Sequence, residues 1–403
     1  MASSRIVPLL SQGHAALARA RHFGFAGSSL NGVVSLSRSG VAMHTRQNST
    51  MKAVVFDGNG AGIDTQRQRP KLDEDSVIVR PVAVALNPTD WKNVRYKRAK
   101  PGCIVGCDYA GIVEAVGSAV QKSWRPGDRI FGCAHGANPV NPDGGVFAEV
   151  AVVKGDLQMR IPEGMDFTQA ATLGLGTITV GQGLYQKAMQ LDLPSASAPS
   201  ERNRHEHVLI YGGGTSTAAL AIQFAKLSGY SVITICGEES FDYVKRLGAD
   251  LALDYRDADV GAKVRRYTDN KLRYAWDTIG AEGTARICGD ALTDSPDLSP
   301  AYGTINPKQC PRSDVKSTTT VMYTVFGKDI QFGSDLMPGS KEDFEFGKKF
   351  YGIAEGLIRR GLVKPHRHRL AAGGLEGIPK GLKDLEDGKV RGEKLVYLVN
   401  KQP

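Results

Sequence analysis

The 403-residue sequence has no long apolar run and no closely spaced set of cysteines. No stretch approaches the roughly 18 apolar residues that a membrane-spanning helix needs, so we expect no membrane partner. The six cysteines, at positions 103, 107, 133, 236, 288 and 310, fit neither a disulfide framework nor a zinc ribbon. They are typical of reduced thiols in an intracellular protein.

Residues 1–50 lack lysine, aspartate and glutamate, although they contain five arginines and many serines. This composition is typical of a mitochondrial transit peptide, and residues 9–25 have the pattern of a basic amphipathic helix. The alternative is that translation starts at Met51, which would leave a cytoplasmic protein. Without these five arginines the formal charge falls from +9 to +4. The remaining chain is therefore only mildly basic, and we expect no nucleic-acid partner.

Three consecutive glycines, at 212–214, separate a short apolar run from an amphipathic segment. The run Val208–Tyr211 has the length of a buried strand, and apolar residues at 220, 222, 224 and 227 indicate a helix after the glycines. Glycines allow a tight turn and let a diphosphate approach main-chain N–H groups at the start of a helix. With the apolar run 231–236, the segment predicts a β-α-β unit that binds a dinucleotide, although alanine replaces the third glycine of the usual motif.

The rest of the chain has two patterns, short strands between Gly/Pro turns and strands that alternate with helices. Strands are predicted at 52–56, 76–86, 112–116, 129–132, 147–153, 251–254, 273–277, near 317–326 and at 394–399. Helices are predicted at about 239–247, 258–268, 282–292, 341–360 and 375–385. The predicted fold class is α/β, with a Rossmann doubly wound parallel sheet inserted in a β-rich catalytic domain that both ends of the chain form.

Five motifs occur in an order that resembles the medium-chain dehydrogenase/reductase superfamily. They are Asn87–Lys92, Val105–Gly111, Pro126–Arg129, Ala170–Gly174 and Gly392–Val396, and the resemblance covers essentially all of 51–403. More narrowly, Asn87–Lys92, the pair Phe241-Asp242 and Leu375-Glu376-Gly377 resemble the zinc-free fungal trans-acting enoyl reductases that work with polyketide synthases.

The resemblance implies three segments and a cofactor. Residues 1–50 would be a leader, 51–172 plus 340–403 a GroES-like catalytic domain, and 173–339 a Rossmann NADP-binding domain. NADPH is the expected cofactor, because the strand that ends at Gly237 lacks the terminal acid that holds an NAD ribose, although Glu238 and Glu239 follow. The expected cofactor residues are Thr89, Asp90, Trp91, Lys92, Thr177, Gly212, Gly213, Gly214, Thr215, Ser216, Thr217, Gly237, Glu238, Glu239, Ser240, Tyr255, Leu292, Val390 and Arg391.

The resemblance also implies a reaction, the reduction of the C=C bond of an α,β-unsaturated acyl thioester. The carbonyl oxygen gains negative charge between hydride and proton transfer, so a donor or cation must lie near it. Lys92 and Tyr109 are the candidate catalytic residues. The expected substrate residues are Ile178, Thr179, Gly181, Tyr185, Val321, Met322, Tyr323 and Thr324.

We predict no bound metal. A zinc enzyme of the superfamily needs a Cys, a His and a Cys around its catalytic ion. Asn87 falls near the first of these positions, and Cys107 stands where the histidine would be. We expect Cys107 to be a buried small side chain.

Two other functions stay open, an NADPH-dependent quinone or enone reductase and a non-catalytic NADPH-binding protein. The expected partner is a small-molecule or carrier-bound acyl thioester, with the acyl-carrier domain of a polyketide synthase as a candidate. The basic cluster of Lys364 and residues 366–369 is either solvated surface or a landing patch for such an acidic domain. The chain is expected to be a monomer or a homodimer.

Overall fold

The structure is a computed structural model that describes residues 49–197, 201–332 and 335–401. The predicted leader lies outside these ranges, apart from its last two residues. Within them, no helix is long and apolar enough to cross a membrane. Residues 48–403 form one compact unit, and the domain limits near 172 and 340 stay a prediction.

Residues 49–197 form mainly strands, with short helices where strands end. The elements are β1 (Thr50–Phe56), β2 (Ala61–Gln68), β3 (Ser76–Ala85), α1 (Pro88–Arg95), β4 (Asp108–Val116), β5 (Arg129–Cys133), β6 (Ala151–Lys154), β7 (Gln158–Arg160), α2 (Phe167–Ala170) and α3 (Gly174–Val180). A π-helix at Gly181–Lys187 continues α3.

The rest of the chain first alternates strands and helices and then returns to the β-rich part. The elements are β8 (His207–Tyr211), α4 (Ser216–Leu227), β9 (Ser231–Cys236), α5 (Phe241–Arg246), β10 (Leu251–Asp254), α6 (Val260–Tyr267), β11 (Tyr274–Asp277), α7 (Glu282–Ala291), β12 (Ala301–Thr304), β13 (Lys316–Thr319), β14 (Ile330–Phe332), β15 (Asp335–Met337), α8 (Lys341–Arg359), β16 (His368–Ala371), α9 (Gly374–Glu386) and β17 (Lys394–Leu398).

Six parallel strands form the Rossmann sheet, in the order β10-β9-β8-β11-β12-β13. From β8 the chain adds β9 and β10 on one side of the sheet, and it then adds β11, β12 and β13 on the other side of β8. Doubly wound sheets bind ligands at the carboxyl ends of strands where the order reverses in this way. The predicted fold class is confirmed, and the topology places a site at the ends of β8 and β9.

A second sheet joins the two ends of the chain, in the order β16-β17-β3-β4-β5-β7, with β6 also paired to β3. The carboxyl-terminal strand β17 runs antiparallel to β3, with Val396 opposite Ala85. The β-rich part is therefore built from both ends of the chain, as predicted.

Two strand predictions were too long. The predicted strand 147–153 is regular only from Ala151, because Phe147 divides its backbone hydrogen bonds between two neighbours. Its N–H donates to Val105 at 3.0 Å and its C=O accepts from Val54 at 2.8 Å. The predicted strand near 317–326 ends at Thr319, and a 3-10 helix follows at Met322–Phe326.

Gly106 provides a test of packing beside β4. Its φ is +104°, and an added Cβ would lie 2.2 Å from the Phe147 ring. We expect Gly106→Ala to destabilise the protein by about 2–5 kcal/mol, from the left-handed backbone and from overpacking. Gly127→Ala is the matched control, because φ is +93° there with open space around it. Urea unfolding measures both variants, and equal losses would contradict the packing argument.

Candidate nucleotide cleft and active site

A cleft of about 780 Å³ lies at the carboxyl ends of β8 and β9. The Rossmann side contributes the glycine turn and the end of β9, and the β-rich side contributes the start of α1 and the segments around β16 and β17. The lining residues are Leu86, Pro88, Tyr211, Gly212, Gly214, Thr215, Ser216, Ile235, Cys236, Gly237, Glu239, Ser240, Tyr255, Ile279, Thr284, His366, Arg367, Leu385, Val390, Arg391, Gly392, Glu393 and Lys394.

The glycine turn has the geometry that a dinucleotide needs. Gly212 has φ +85°, and a Cβ there would lie 2.6 Å from the Thr278 hydroxyl. Thr215 caps α4 by accepting a hydrogen bond from the N–H of Ala218 at 3.1 Å. The N–H groups at 216 and 217 have no acceptor within the helix and lie at its positive end. These residues fit the diphosphate of a nicotinamide dinucleotide.

Ten of the predicted cofactor residues line this cleft. They are Gly212, Gly214, Thr215, Ser216, Gly237, Glu239, Ser240, Tyr255, Val390 and Arg391. Gly213, Thr217 and Glu238 are their immediate neighbours in sequence. Thr89, Asp90, Trp91 and Lys92 lie on α1 behind Pro88, which itself lines the cleft. Thr177 is buried in α3, and its hydroxyl has no hydrogen-bond partner among the described residues. Cofactor contacts at these residues stay a prediction.

Leu292 and Tyr109 are both buried in apolar clusters and do not line the cleft, and the roles predicted for them stay predictions. Leu292 packs in the cluster that contains Cys288 and Tyr302. Tyr109 donates a hydrogen bond to Gln158 at 2.8 Å, and burial raises the pKa of its phenol well above the usual range. The signal that suggested Tyr109 was its place in the Val105–Gly111 motif, which the structure uses for packing.

The residues predicted to form an acyl wall at 178–185 pack into the core, and their contact with substrate stays a prediction. Ile178 is fully buried, and the Thr179 hydroxyl donates to the Leu175 carbonyl at 2.8 Å. A Cβ at Gly181 would lie 2.5 Å from the Phe350 ring. The Tyr185 hydroxyl lies 3.0 Å from the Ser228 hydroxyl in the core.

The second predicted substrate segment begins half-buried at Val321 and is buried at Met322 and Tyr323. The Thr324 hydroxyl accepts a hydrogen bond from Gln182 at 2.9 Å. The Tyr323 hydroxyl lies 2.7 Å from that of Thr89. The structure thus brings together one residue predicted for substrate and one predicted for cofactor.

The ring of Tyr323 stacks on that of His135, with centroids 3.8 Å apart. Burial lowers the pKa of His135 to about 3, so its imidazole is neutral at ordinary pH. Cys107 is fully buried, and its sulfur lies 3.7 Å from the Tyr323 hydroxyl. The sequence offered no signal for the His135 contact.

A buried polar cluster forms the floor of the cleft. The Lys394 ammonium donates to Asp108 at 2.6 Å and to the Asn87 side-chain oxygen at 2.8 Å. The Asn87 amide in turn donates to Asp108 at 3.0 Å, and the other Asp108 oxygen accepts the N–H of Leu175. Each charge is therefore paired and hydrogen-bonded, which a buried ion pair requires. Among the described residues, no three His, Cys, Asp or Glu side chains converge to hold a metal ion.

Lys92 is half-buried on α1, with its ammonium 5.8 Å from the centre of the Trp91 ring. Burial lowers its pKa, and the nearby Arg98 adds to that effect. In the part of the chain that the structure describes, no carboxylate lies within salt-bridge distance of Lys92. Its charge is therefore available to a ligand.

The basic cluster at 364–369 is partly exposed surface and partly cleft lining, and its role as a landing patch stays a prediction. His366 is buried, and its ring lies 2.9 Å from the Tyr243 hydroxyl. Arg367 lines the cleft. Arg369 is exposed and pairs with Glu393 at 2.8 Å, and Lys364 is exposed as well. Sequence reasoning missed the cleft positions because no local pattern brings this segment to β9.

Asp90 predicts a measurable dependence of stability on pH. It is buried, one oxygen accepts the N–H of Asn87 at 2.7 Å, and the other has no hydrogen-bond partner among the described residues. Burial raises its pKa from 3.8 to about 7, with a smaller contribution in the same direction from Asp108 and an opposing one from Lys394. An acid with a higher pKa in the folded state contributes stability below about pH 4 and loses it as the pH rises to about 7.

We expect the difference in unfolding free energy between wild type and Asp90→Asn to fall by about 2 kcal/mol from pH 5 to 8. The wild type alone is not informative, because burial also lowers the pKa of His135 and His366 to about 3. These two histidines make the stability of both proteins rise with pH, and this shared effect cancels in the difference. Urea unfolding measures it, with the exposed Asp290→Asn as control. A constant difference across this range would show that Asp90 is already ionised at pH 5.

Comparisons with known proteins agree with this architecture. Residues 73–163 match the alcohol dehydrogenase GroES-like domain, and residues 218–295 match the zinc-binding dehydrogenase family. The solved CurK enoyl reductase superposes with a TM-score of 0.67 at 16% identity, over 86% of this chain and 99% of that one. At this identity the likeness supports the fold alone.

Two curated relatives cover most of the chain. The trans-enoyl reductase resD of Aspergillus sclerotiorum is 43% identical over 361 residues, which span 87% of this chain and all of the relative. The enoyl reductase component lovC of the lovastatin nonaketide synthase of Aspergillus terreus is 36% identical, over 81% of this chain and 90% of the relative. The chain therefore belongs to the trans-enoyl reductases of the medium-chain dehydrogenase/reductase superfamily.

Proposed function

We propose that this protein is an NADPH-dependent oxidoreductase that reduces the C=C bond of α,β-unsaturated acyl thioesters made by a polyketide synthase. The observation that carries the proposal is the full-length similarity to a trans-enoyl reductase. The cleft supports it, because the glycine turn fits a nicotinamide dinucleotide and the start of α1 forms the opposite wall.

The reaction needs hydride at the β-carbon, a proton at the α-carbon and stabilisation of the carbonyl oxygen. A bound nicotinamide supplies the hydride. The Lys92 ammonium would donate to the thioester carbonyl, where a fixed positive charge stabilises the negative charge that develops. The hydroxyls of Thr89 and Tyr323, 2.7 Å apart, form a polar pair beside α1 and would orient the acyl group.

NADPH is preferred to NADH in this proposal. β9 ends at Cys236 and is followed by Gly237, so the strand end itself carries no acid to bind both ribose hydroxyls. The acid that lines the cleft nearby, Glu239, lies 3.8 Å from Arg256. Arg367 lines the same end of the cleft and would favour a phosphate there, against the opposing charge of Glu239.

The acyl group would arrive on a carrier domain. The support is the relative from Aspergillus terreus, whose name describes the enoyl reductase component of a synthase. The exposed basic residues Lys364, Arg367 and Arg369 would be part of the surface that receives an acidic carrier.

Turnover of crotonyl N-acetylcysteamine thioester with NADPH tests the activity against a simple quinone such as menadione. We expect reduction of the thioester to be the faster reaction, and Lys92→Met to lower its kcat/KM by about 100-fold, since one charge-stabilising donor is lost. The matched control is Lys271→Met, an exposed lysine outside the cleft. Faster reduction of the quinone would favour the alternative reductase, and nucleotide binding without any turnover would favour a non-catalytic protein.

A further inference from the structure

Arg367 enters the nucleotide cleft from the β-rich side, opposite the glycine turn. It lies in the segment between α8 and β16, and its carbonyl accepts the N–H of Lys394 at 2.9 Å. This backbone bond attaches the segment to the start of β17. The side chain therefore projects from a fixed main chain.

The guanidinium is held on two sides. Its central carbon lies 4.0 Å from the centre of the Tyr243 ring, within the range of a cation–π contact. The Tyr243 ring is itself fixed, because it is buried and its hydroxyl lies 2.9 Å from the buried His366 ring. On the other side, a Cβ at Gly392 would lie 2.9 Å from the Arg367 Nη2. The Arg367 guanidinium therefore lies close to the Gly392 backbone.

The positive charge of Arg367 has no acidic partner within 4.0 Å among the described residues, since it takes part in none of their salt bridges. Two acids also line the cleft, and neither pairs with Arg367. Glu393 pairs with Arg369 at 2.8 Å, and Glu239 lies 3.8 Å from Arg256. A fixed, uncompensated guanidinium in a cleft is suited to a phosphate group.

The position of Arg367 indicates which phosphate this is. Arg367 lies close enough to the end of β9 for its charge to act on the Cys236 thiol, whose pKa is raised by burial, Glu239 and Asp254 and lowered by Arg367. In dinucleotide-binding folds, this end of the second strand meets the adenosine ribose, and a nearby arginine accommodates the 2′-phosphate of NADP. The diphosphate instead lies at the start of the helix after the first strand, here at α4.

We propose that Arg367 binds the 2′-phosphate of NADPH across the cleft and so determines the preference for NADPH over NADH. The inference takes from the proposed function only that the cofactor is NADPH. A residue of the β-rich part would then contact a nucleotide held mainly by the Rossmann sheet, so that the 2′-phosphate bridges the two walls.

The test is direct binding of NADPH and NADH to the full chain, without acyl substrate, by isothermal titration. We expect Arg367→Met to weaken NADPH binding by about 10- to 100-fold, as for the loss of a charged hydrogen bond, and to change NADH binding by less than about two-fold. Arg367→Lys should recover part of the affinity, because it restores charge without the planar fork. Adenosine 2′,5′-bisphosphate should compete with NADPH on the wild type and lose affinity with Arg367→Met.

Arg359→Met is the matched control, since Arg359 is exposed and lies outside the cleft. An equal loss of affinity for NADPH and NADH would overturn the inference. It would mean that Arg367 contacts the diphosphate, which both nucleotides have, or that its loss changes the shape of the cleft. Unchanged NADPH affinity would overturn it as well. A wild type that binds NADPH with this discrimination but reduces no enoyl thioester would contradict the proposed function and leave the role of Arg367 intact.

Discussion

The buried contact between Lys394 and Asp108 is the interaction on which the rest of the site depends. It joins the last strand of the chain to β4, and Asn87 at the cap of α1 completes it. Asp108 also accepts the N–H of Leu175, so the same carboxylate fixes the start of α3. Breaking a buried pair of this kind typically costs about 3–5 kcal/mol, because one charge is left without a partner. The cleft floor is therefore rigid.

This arrangement divides the charges of the cleft. Lys394 is neutralised in the floor. Arg367 lines the cleft and Lys92 lies on α1, half-buried, and neither has a carboxylate partner in the described ranges. The α4 terminus contributes further positive potential from the Rossmann side. An anionic ligand therefore meets favourable charge along the cleft, with phosphates at one end and a developing oxyanion at the other.

The features that the sequence predicted are those that depend on neighbouring residues in the chain. The glycines at 212–214, the alternating pattern after them and the return of strand 394–399 gave the fold class and the end of β8 as a site. The pairing of Thr89 with Tyr323 and the approach of Arg367 to β9 depend on long-range packing, which no periodicity encodes. The burial of Tyr109 and Tyr185 was not predicted for the same reason, because a motif or a helix position does not reveal which face meets the core.

The central claim is that a reduced nicotinamide in this cleft delivers hydride to the β-carbon of an enoyl thioester. The most direct measurement is NMR of the product formed from crotonyl thioester with NADPH deuterated at C4 of the nicotinamide, once with each of its two stereoisomers. One isomer should place deuterium at the β-carbon, and the same reaction with ordinary NADPH in D₂O should place it at the α-carbon. No transfer to the β-carbon from either isomer would contradict this account.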